Sequence, residues 1–144
     1  MPIIRWLKLA NRINIAMLSR GLGPATQRVL TVAGRNTGVP RRTPIAIVTL
    51  AGERYIIAGY PSAAWVRNVL AAGTATLSRG AQVERVELHE VSVGDRVPVL
   101  REFLRTIRGG RSFLTVGAGA TDAKLTEAAG EHPVFRLDRD RRRT

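Results

Sequence analysis

The apolar residues of this chain fall in short runs of period two, each closed by a glycine or proline turn, and that punctuation restricts it to an antiparallel architecture. Arg28 to Ala33 reads as a strand, Gly34 to Pro40 as a polar loop, and Thr43 to Leu50 as a second strand rich in β-branched residues. Ala51 and Gly52 turn the chain into a third strand, Arg54 to Ala58. Thr74 to Leu77 and Gln82 to Val91 form a hairpin around Arg79 and Gly80, and the apolar phase changes between Val83 and Val86, which predicts a bulge. Val134 to Leu137 is the closing strand. Strands of this length, with tight turns and only short helices between them, predict a mainly β, α+β protein built as a closed or split barrel.

The short helices carry their own signals. Ser62 is placed to cap a helix through Ala72, which Gly73 stops. Asp95 is placed to start another, with Pro98 tolerated in its first turn, and Leu100, Phe103, Leu104 and Ile107 make the stripe of a packed face. Gly109 and Gly110 open a loop, Ser112 to Val116 is short and apolar, and Thr121 to Ala129 is expected to be helical. Ile3 to Leu18 reads as a longer amphipathic helix, with Arg5, Lys8 and Arg12 on one face and Ile3, Trp6, Leu7, Ala10, Ile13 and Met17 on the other; Gly21, Gly23 and Pro24 end it. Its apolar face needs a partner. Two readings stay open: packing on the barrel or a second subunit, or an interfacial position on an anionic membrane with Trp6 near the headgroups. The expected organisation is a helix over residues 1–20, one barrel domain with one core over 21–138, and a basic disordered tail over 139–144.

Composition limits the chemistry. The 144 residues include no cysteine, which removes disulfides, thiolate metal sites and thiol catalysis together. His89 and His132 stand far apart without a helical partner, so they are expected to be structural or surface residues, and no metal site is expected. An enzyme built from this inventory needs a bound cofactor to supply its chemistry. The formal charge of +12 attracts anions, whether nucleic acid, an anionic membrane or a polyanionic cofactor. Nucleic acid is the weakest of these, because aromatics are only 5% and show no regular interleaving with basic residues. No apolar run approaches the ~18 residues of a membrane span, and Arg5, Lys8 and Arg12 interrupt the first apolar stretch. The expected location is the cytoplasm, with the inner face of the membrane as the alternative if the first helix lies there.

The informative segment is Gly34-Arg35-Asn36-Thr37-Gly38-Val39-Pro40-Arg41-Arg42-Thr43-Pro44, set between two strands. Its glycines let backbone amides turn toward an anion, Thr37 adds a hydroxyl, and Arg35, Arg41 and Arg42 add charge-assisted donors. The same residues also fit a plain hairpin loop decorated with arginines. No Gly-Lys-Ser/Thr follows, so this is not a Walker loop. Gly117-Ala118-Gly119 is not a dinucleotide fingerprint either, since Asp122 stands where the third glycine belongs.

From Leu30 to Asn68 the chain resembles the deazaflavin (coenzyme F-420) dependent nitroreductase and quinone reductase family, whose pattern is a strand, Gly-Arg-Lys-Ser/Thr-Gly-x-Pro-Arg-x-x-Pro, a hairpin, and a helix beginning Trp-x-x-Asn-Leu. Gly34, Arg35, Thr37, Gly38, Pro40, Arg41 and Pro44 match the loop in order, Trp65 and Asn68 match the helix, and the closing His132-Pro133-Val134-Phe135-Arg136-Leu137 is similar to the end of one branch. The resemblance implies a split β-barrel of FMN-binding-like type, a homodimer, and an oxidoreductase that passes hydride from reduced F-420, an 8-hydroxy-5-deazaflavin, to a small quinone, nitro compound or similar planar acceptor. By that resemblance Arg35, Thr37, Gly38 and Arg41 bind the acidic cofactor tail. Asn36 replaces the usual lysine, and Arg42 is close enough to compensate. Thr43 and Pro44 line the path to the ring, Ala58, Gly59 and Tyr60 lie near it, and Trp65 and Asn68 border the same pocket. For Trp65, ring contact and core packing both remain open. No catalytic side chain is fixed; Tyr60 is the candidate. The alternatives are an FMN-using split-barrel oxidoreductase and a nonenzymatic protein binding lipid, haem or nucleic acid.

Overall fold

Two strands that follow each other in sequence, separated only by Ile47, stand at opposite ends of one sheet. The structure, a computed structural model, describes residues 2–23, 25–107 and 119–139, and for residues 2–8 and 10 the backbone alone. Its strands are β1 (Gln27–Ala33), β2 (Pro40–Ala46), β3 (Val48–Leu50), β4 (Glu53–Ile57), β5 (Thr74–Arg79), β6 (Gln82–Glu90) and β7 (Val134–Arg139). They form one sheet in the order β2-β1-β5-β6-β7-β4-β3, and every neighbouring pair is antiparallel. Because Ala46 and Val48 are two residues apart and belong to the two edges, the sheet must curl until those edges meet. The result is a half-barrel closed on one side by its own chain.

The expected second strand is therefore two strands. Ile47 breaks the ladder, donates its amide to Thr26 O at 2.8 Å and packs on the barrel core. Pro40 and Pro44 are admitted because β2 is an edge strand, where the missing donor leaves no ladder bond unmade. At the β3–β4 turn both Ala51 (φ 53°) and Gly52 (φ 81°) take positive φ, the geometry of a tight primed hairpin turn. The predicted bulge between Val83 and Val86 is absent, since β5 and β6 pair without interruption from Thr74↔Glu87 to Arg79↔Gln82. Val83 simply lies on the outer face, 63% exposed, while Val86 faces inward and is fully buried.

The helices are α1 (Pro2–Ser19), α2 (Ala64–Ala72), α3 (Val97–Thr106) and α4 (Asp122–Ala129). Ser62 does not cap α2: the cap position is Ala63, with no side-chain bond, and Gly73 closes the helix at φ 74°. Asp95 ends a short turn of 3-10 helix, held by the Ser92 hydroxyl donating to its carboxylate at 2.8 Å, and α3 begins two residues later. Thr121 caps α4 by accepting the Lys124 amide at 3.3 Å.

The expectation of one core is also corrected. Inside the barrel Leu30, Val32, Ile56, Val86, Phe135 and Leu137 pack with Val66 and Val69 of α2. On the outer face Val48, Ile57 and Val134 pack with Leu100, Phe103 and Leu104 of α3 and with Leu125 and Ala129 of α4. Strand alternation produces both: Ile56 and Ile57, or Val134 and Phe135, point to opposite faces. Arg96, 5% exposed, ties the outer layer together by donating to Val91 O at 2.9 Å, Ala129 O at 2.8 Å and the Glu90 carboxylate at 3.3 Å.

In α1, where side chains are described, the apolar face read from the sequence is not the one packed on the barrel. Ile13 and Met17 are 52% and 40% exposed, and Leu18 is the buried anchor. Gly109, Gly110, Ser112 to Val116, the tail beyond Arg139, and the side chains of Ile3, Arg5, Trp6, Leu7, Lys8 and Ala10 lie outside the described residues. No described helix is long and apolar enough to cross a membrane.

Candidate cofactor-binding site

The β1–β2 connection folds back on itself through short-range bonds. Gly34 N donates to Val39 O at 2.9 Å, Gly38 N donates to Gly34 O at 2.8 Å, and Val39 N donates to Thr37 Oγ1 at 3.2 Å. Gly38 takes φ 75°, a conformation that a side chain would strain. The Thr37 hydroxyl keeps its own proton for another acceptor. Asn68, buried on α2, fixes the loop to the barrel: its Oδ1 accepts Arg35 N at 3.0 Å and Arg35 Nη1 at 2.9 Å.

Beneath this loop lies a cleft of about 810 Å³, within the range of small-molecule and cofactor sites. Of the residues expected from the sequence, Arg35, Asn36, Thr37, Arg41, Arg42, Thr43, Pro44, Gly59, Tyr60, Trp65 and Asn68 line it. Gly38 and Ala58 do not. Gly38 serves the turn, and Ala58 is fully buried in the barrel core, where its carbonyl accepts the Nδ1 proton of buried His132 at 3.1 Å. Trp65 packs on Phe135, with ring centroids 5.9 Å apart at a 57° tilt, and also lines the cleft. Tyr60, 59% exposed, stands at the rim between Gly59 and Pro61.

The cleft has two unlike ends. Arg35, Arg41 and Arg42 supply cationic donors, and no acidic residue among the described residues lines the cleft. Arg41 and Arg42 form no ion pair or side-chain hydrogen bond with another described residue, so their guanidinium groups are available to an anion. Ile45, Ala46, Ile57, Phe103 and Ile107 make the other end apolar. Sequence reasoning missed Phe103 and Ile107, because a helical stripe at core spacing does not disclose that its edge reaches a cavity. It also missed Asn11, Asn14 and Gln27, which belong to segments distant in sequence from the loop. Neither His89 nor His132 lines the cleft, and the described residues contain no group of three or more histidines and acids that could hold a metal.

A curled antiparallel half-barrel, with an arginine loop over an open cleft, defines a split-barrel protein. The chain belongs to the F-420H(2)-dependent quinone reductase family, which matches residues 7–126. No curated protein matches its sequence. Solved structures share the fold at low identity. One, described as a domain-swapped dimer, is 19% identical, with a TM-score of 0.58 over 96% of this chain and 100% of the other. An F-420H(2)-dependent reductase, FDR-A, is 18% identical, with a TM-score of 0.55 over 79% of this chain and 95% of its own. The heme storage protein HutZ from Vibrio cholerae is 12% identical, with a TM-score of 0.57 over 90% of this chain and 89% of its own.

Proposed function

We propose that this protein is a deazaflavin-dependent reductase that binds F-420 in the cleft and reduces a quinone, nitro compound or similar planar acceptor. The observation that carries this reading is the set of Arg35, Arg41 and Arg42 in the lining of a cleft to which the described residues bring no carboxylate. A donor set of that kind fits a phosphate followed by glutamates better than the single phosphate of FMN. Family membership supports the same cofactor.

When bound, F-420 supplies the hydride. The protein's own residues do the rest. Arg35, held by Asn68, presents its remaining N–H groups from a fixed position, and Arg41 and Arg42 add charge from the edge strand. Thr37 offers its hydroxyl proton to an anionic oxygen, and Asn36 offers a neutral amide where the usual lysine is missing. Thr43 and Pro44 shape the wall of β2 toward Gly59 and Tyr60. Trp65 gives a flat apolar surface that keeps water from a planar ring, and Tyr60 places a phenol hydroxyl, which can donate and accept a hydrogen bond, at the rim. A homodimer belongs to the same reading; Leu9, Ile13 and Met17 form an exposed apolar stripe on α1 that a second copy would cover.

The test is separate titration of the purified protein with F-420, FMN and haemin, followed by ligand fluorescence or absorbance. Saturable F-420 binding that weakens with salt, with FMN binding more weakly, supports the proposal. Tight binding of FMN or haemin without F-420 binding contradicts it. Haemin is the relevant competitor because HutZ shares the fold, although Tyr60 is the only one of the described lining residues of a type that ligates haem iron.

A further inference from the structure

From Leu9 to Leu18, helix α1 turns its apolar side chains outward more than a surface helix usually does. At 3.6 residues per turn, Asn11, Asn14, Ile15 and Leu18 share one face, and Leu9 and Ile13 lie on the opposite one. The face turned to the barrel is the one bearing the asparagines: Leu18 is buried, Ile15 is half-buried, and Asn11 and Asn14 line the cleft. Leu9, Ile13 and Met17 face away and are exposed. An amphipathic helix normally turns its apolar stripe inward, and asparagine is also a poor helix former. Two of them, three residues apart, put carboxamides on the cleft where helix propensity alone favours alanine or leucine.

These carboxamides make no hydrogen bond with another described residue. Their position is nevertheless fixed. Gly80 N donates to Leu18 O at 2.8 Å, and the Arg79 guanidinium donates to Gly23 O at 2.7 Å and Gly21 O at 3.3 Å, so the β5–β6 turn clamps the C-terminal end of α1 one turn beyond Asn14. Gly80 is required for this approach, since a Cβ there would stand 3.3 Å from the Gly21 backbone.

We propose that Asn11 and Asn14 select the electron acceptor by hydrogen bonding to its carbonyl or nitro oxygens. The cleft offers three chemistries, and each fits a different part of its contents. Arginines suit the anionic tail of the cofactor, the Ile57–Phe103–Ile107 wall suits hydrocarbon, and neutral amide donors suit the uncharged oxygens of a planar acceptor. The biological role rests on the reductase reading; acceptor recognition itself is measurable without the cofactor.

The experiment compares wild type with the double variant Asn11→Ala, Asn14→Ala, which replaces two exposed side chains by the best helix former and so keeps the fold. Binding of menadione and of methylnaphthalene, which has the same rings without the oxygens, is followed by quenching of tryptophan fluorescence, with Trp65 in the cleft wall as the reporter. The expected result is a loss of roughly tenfold in menadione affinity, two neutral hydrogen bonds' worth, with methylnaphthalene unchanged within about twofold. Equal losses for both ligands, no loss for menadione, or equal binding of both ligands by wild type overturns the proposal. A parallel F-420 titration separates the two readings. Failure of wild type to bind F-420 removes the reductase reading alone, whereas a variant that loses F-420 and retains menadione assigns the asparagines to the cofactor and overturns this one.

Discussion

The side-chain oxygen of Asn68 accepts two hydrogen bonds from Arg35, one from its backbone amide at 3.0 Å and one from its guanidinium at 2.9 Å. One buried atom on α2 thus fixes both the path of the β1–β2 loop and the direction of its first arginine. Asn68 acts on a bound anion through Arg35, and the two residues should behave as a unit. In urea denaturation, Asn68→Ala and Arg35→Ala are expected to be nonadditive, with a coupling of about 1.5–3 kcal/mol, the range for a hydrogen bond to a charged group. Additivity within about 0.5 kcal/mol means that the guanidinium bond does not couple the two residues.

Arg96 joins the end of β6 to the C-terminus of α4 from a position almost closed to solvent. Arg96→Ala leaves the carbonyls of Val91 and Ala129 without these donors, so a destabilisation of about 3 kcal/mol is expected. For a chain of this size the melting temperature should fall by roughly 10 °C. Arg96→Lys should not restore it, because one ammonium cannot reproduce the planar fork. Full rescue by lysine makes the residue a simple charge.

Ala51 sits at φ 53°, a conformation that costs an L-residue with a Cβ about 1 kcal/mol or more. Asparagine tolerates it better, and Asn-Gly is the favoured pair for this turn. Ala51→Asn should raise the melting temperature by roughly 2–4 °C without altering ligand binding. A lower melting temperature shows that the turn is not strained at this position.

The strands, the loop and half of the residues lining the cleft are legible in the sequence because period-two patterning and the Gly-Arg-x-Thr-Gly-x-Pro-Arg run are local signals. The errors have physical causes. Val83 reads as a change of phase because a β-branched residue on the outer face looks like a core residue out of register. Ser62 reads as a cap although α2 starts at Ala64 without a side-chain cap. Which face of α1 meets the barrel is not legible, because hydrophobicity marks a face that needs cover without naming what covers it, and here Leu18 and the clamp at Gly80 orient the helix. The role of Asn68 is legible only by resemblance, since its partner lies 33 residues away.

The arginine loop as the seat of an anionic cofactor tail is tested most directly at Arg41. It lines the cleft and is exposed, so Arg41→Ala should leave folding unchanged. The decisive measurement is the affinity of wild type and Arg41→Ala for intact F-420 and for a fragment of it lacking the phosphate and glutamates. The expected result is a loss of about 1.5–3 kcal/mol, or roughly 10- to 150-fold, for the intact cofactor only, with added salt weakening the wild type more than the variant. Unchanged affinity for intact F-420, or an equal loss for the fragment, contradicts the assignment of this loop.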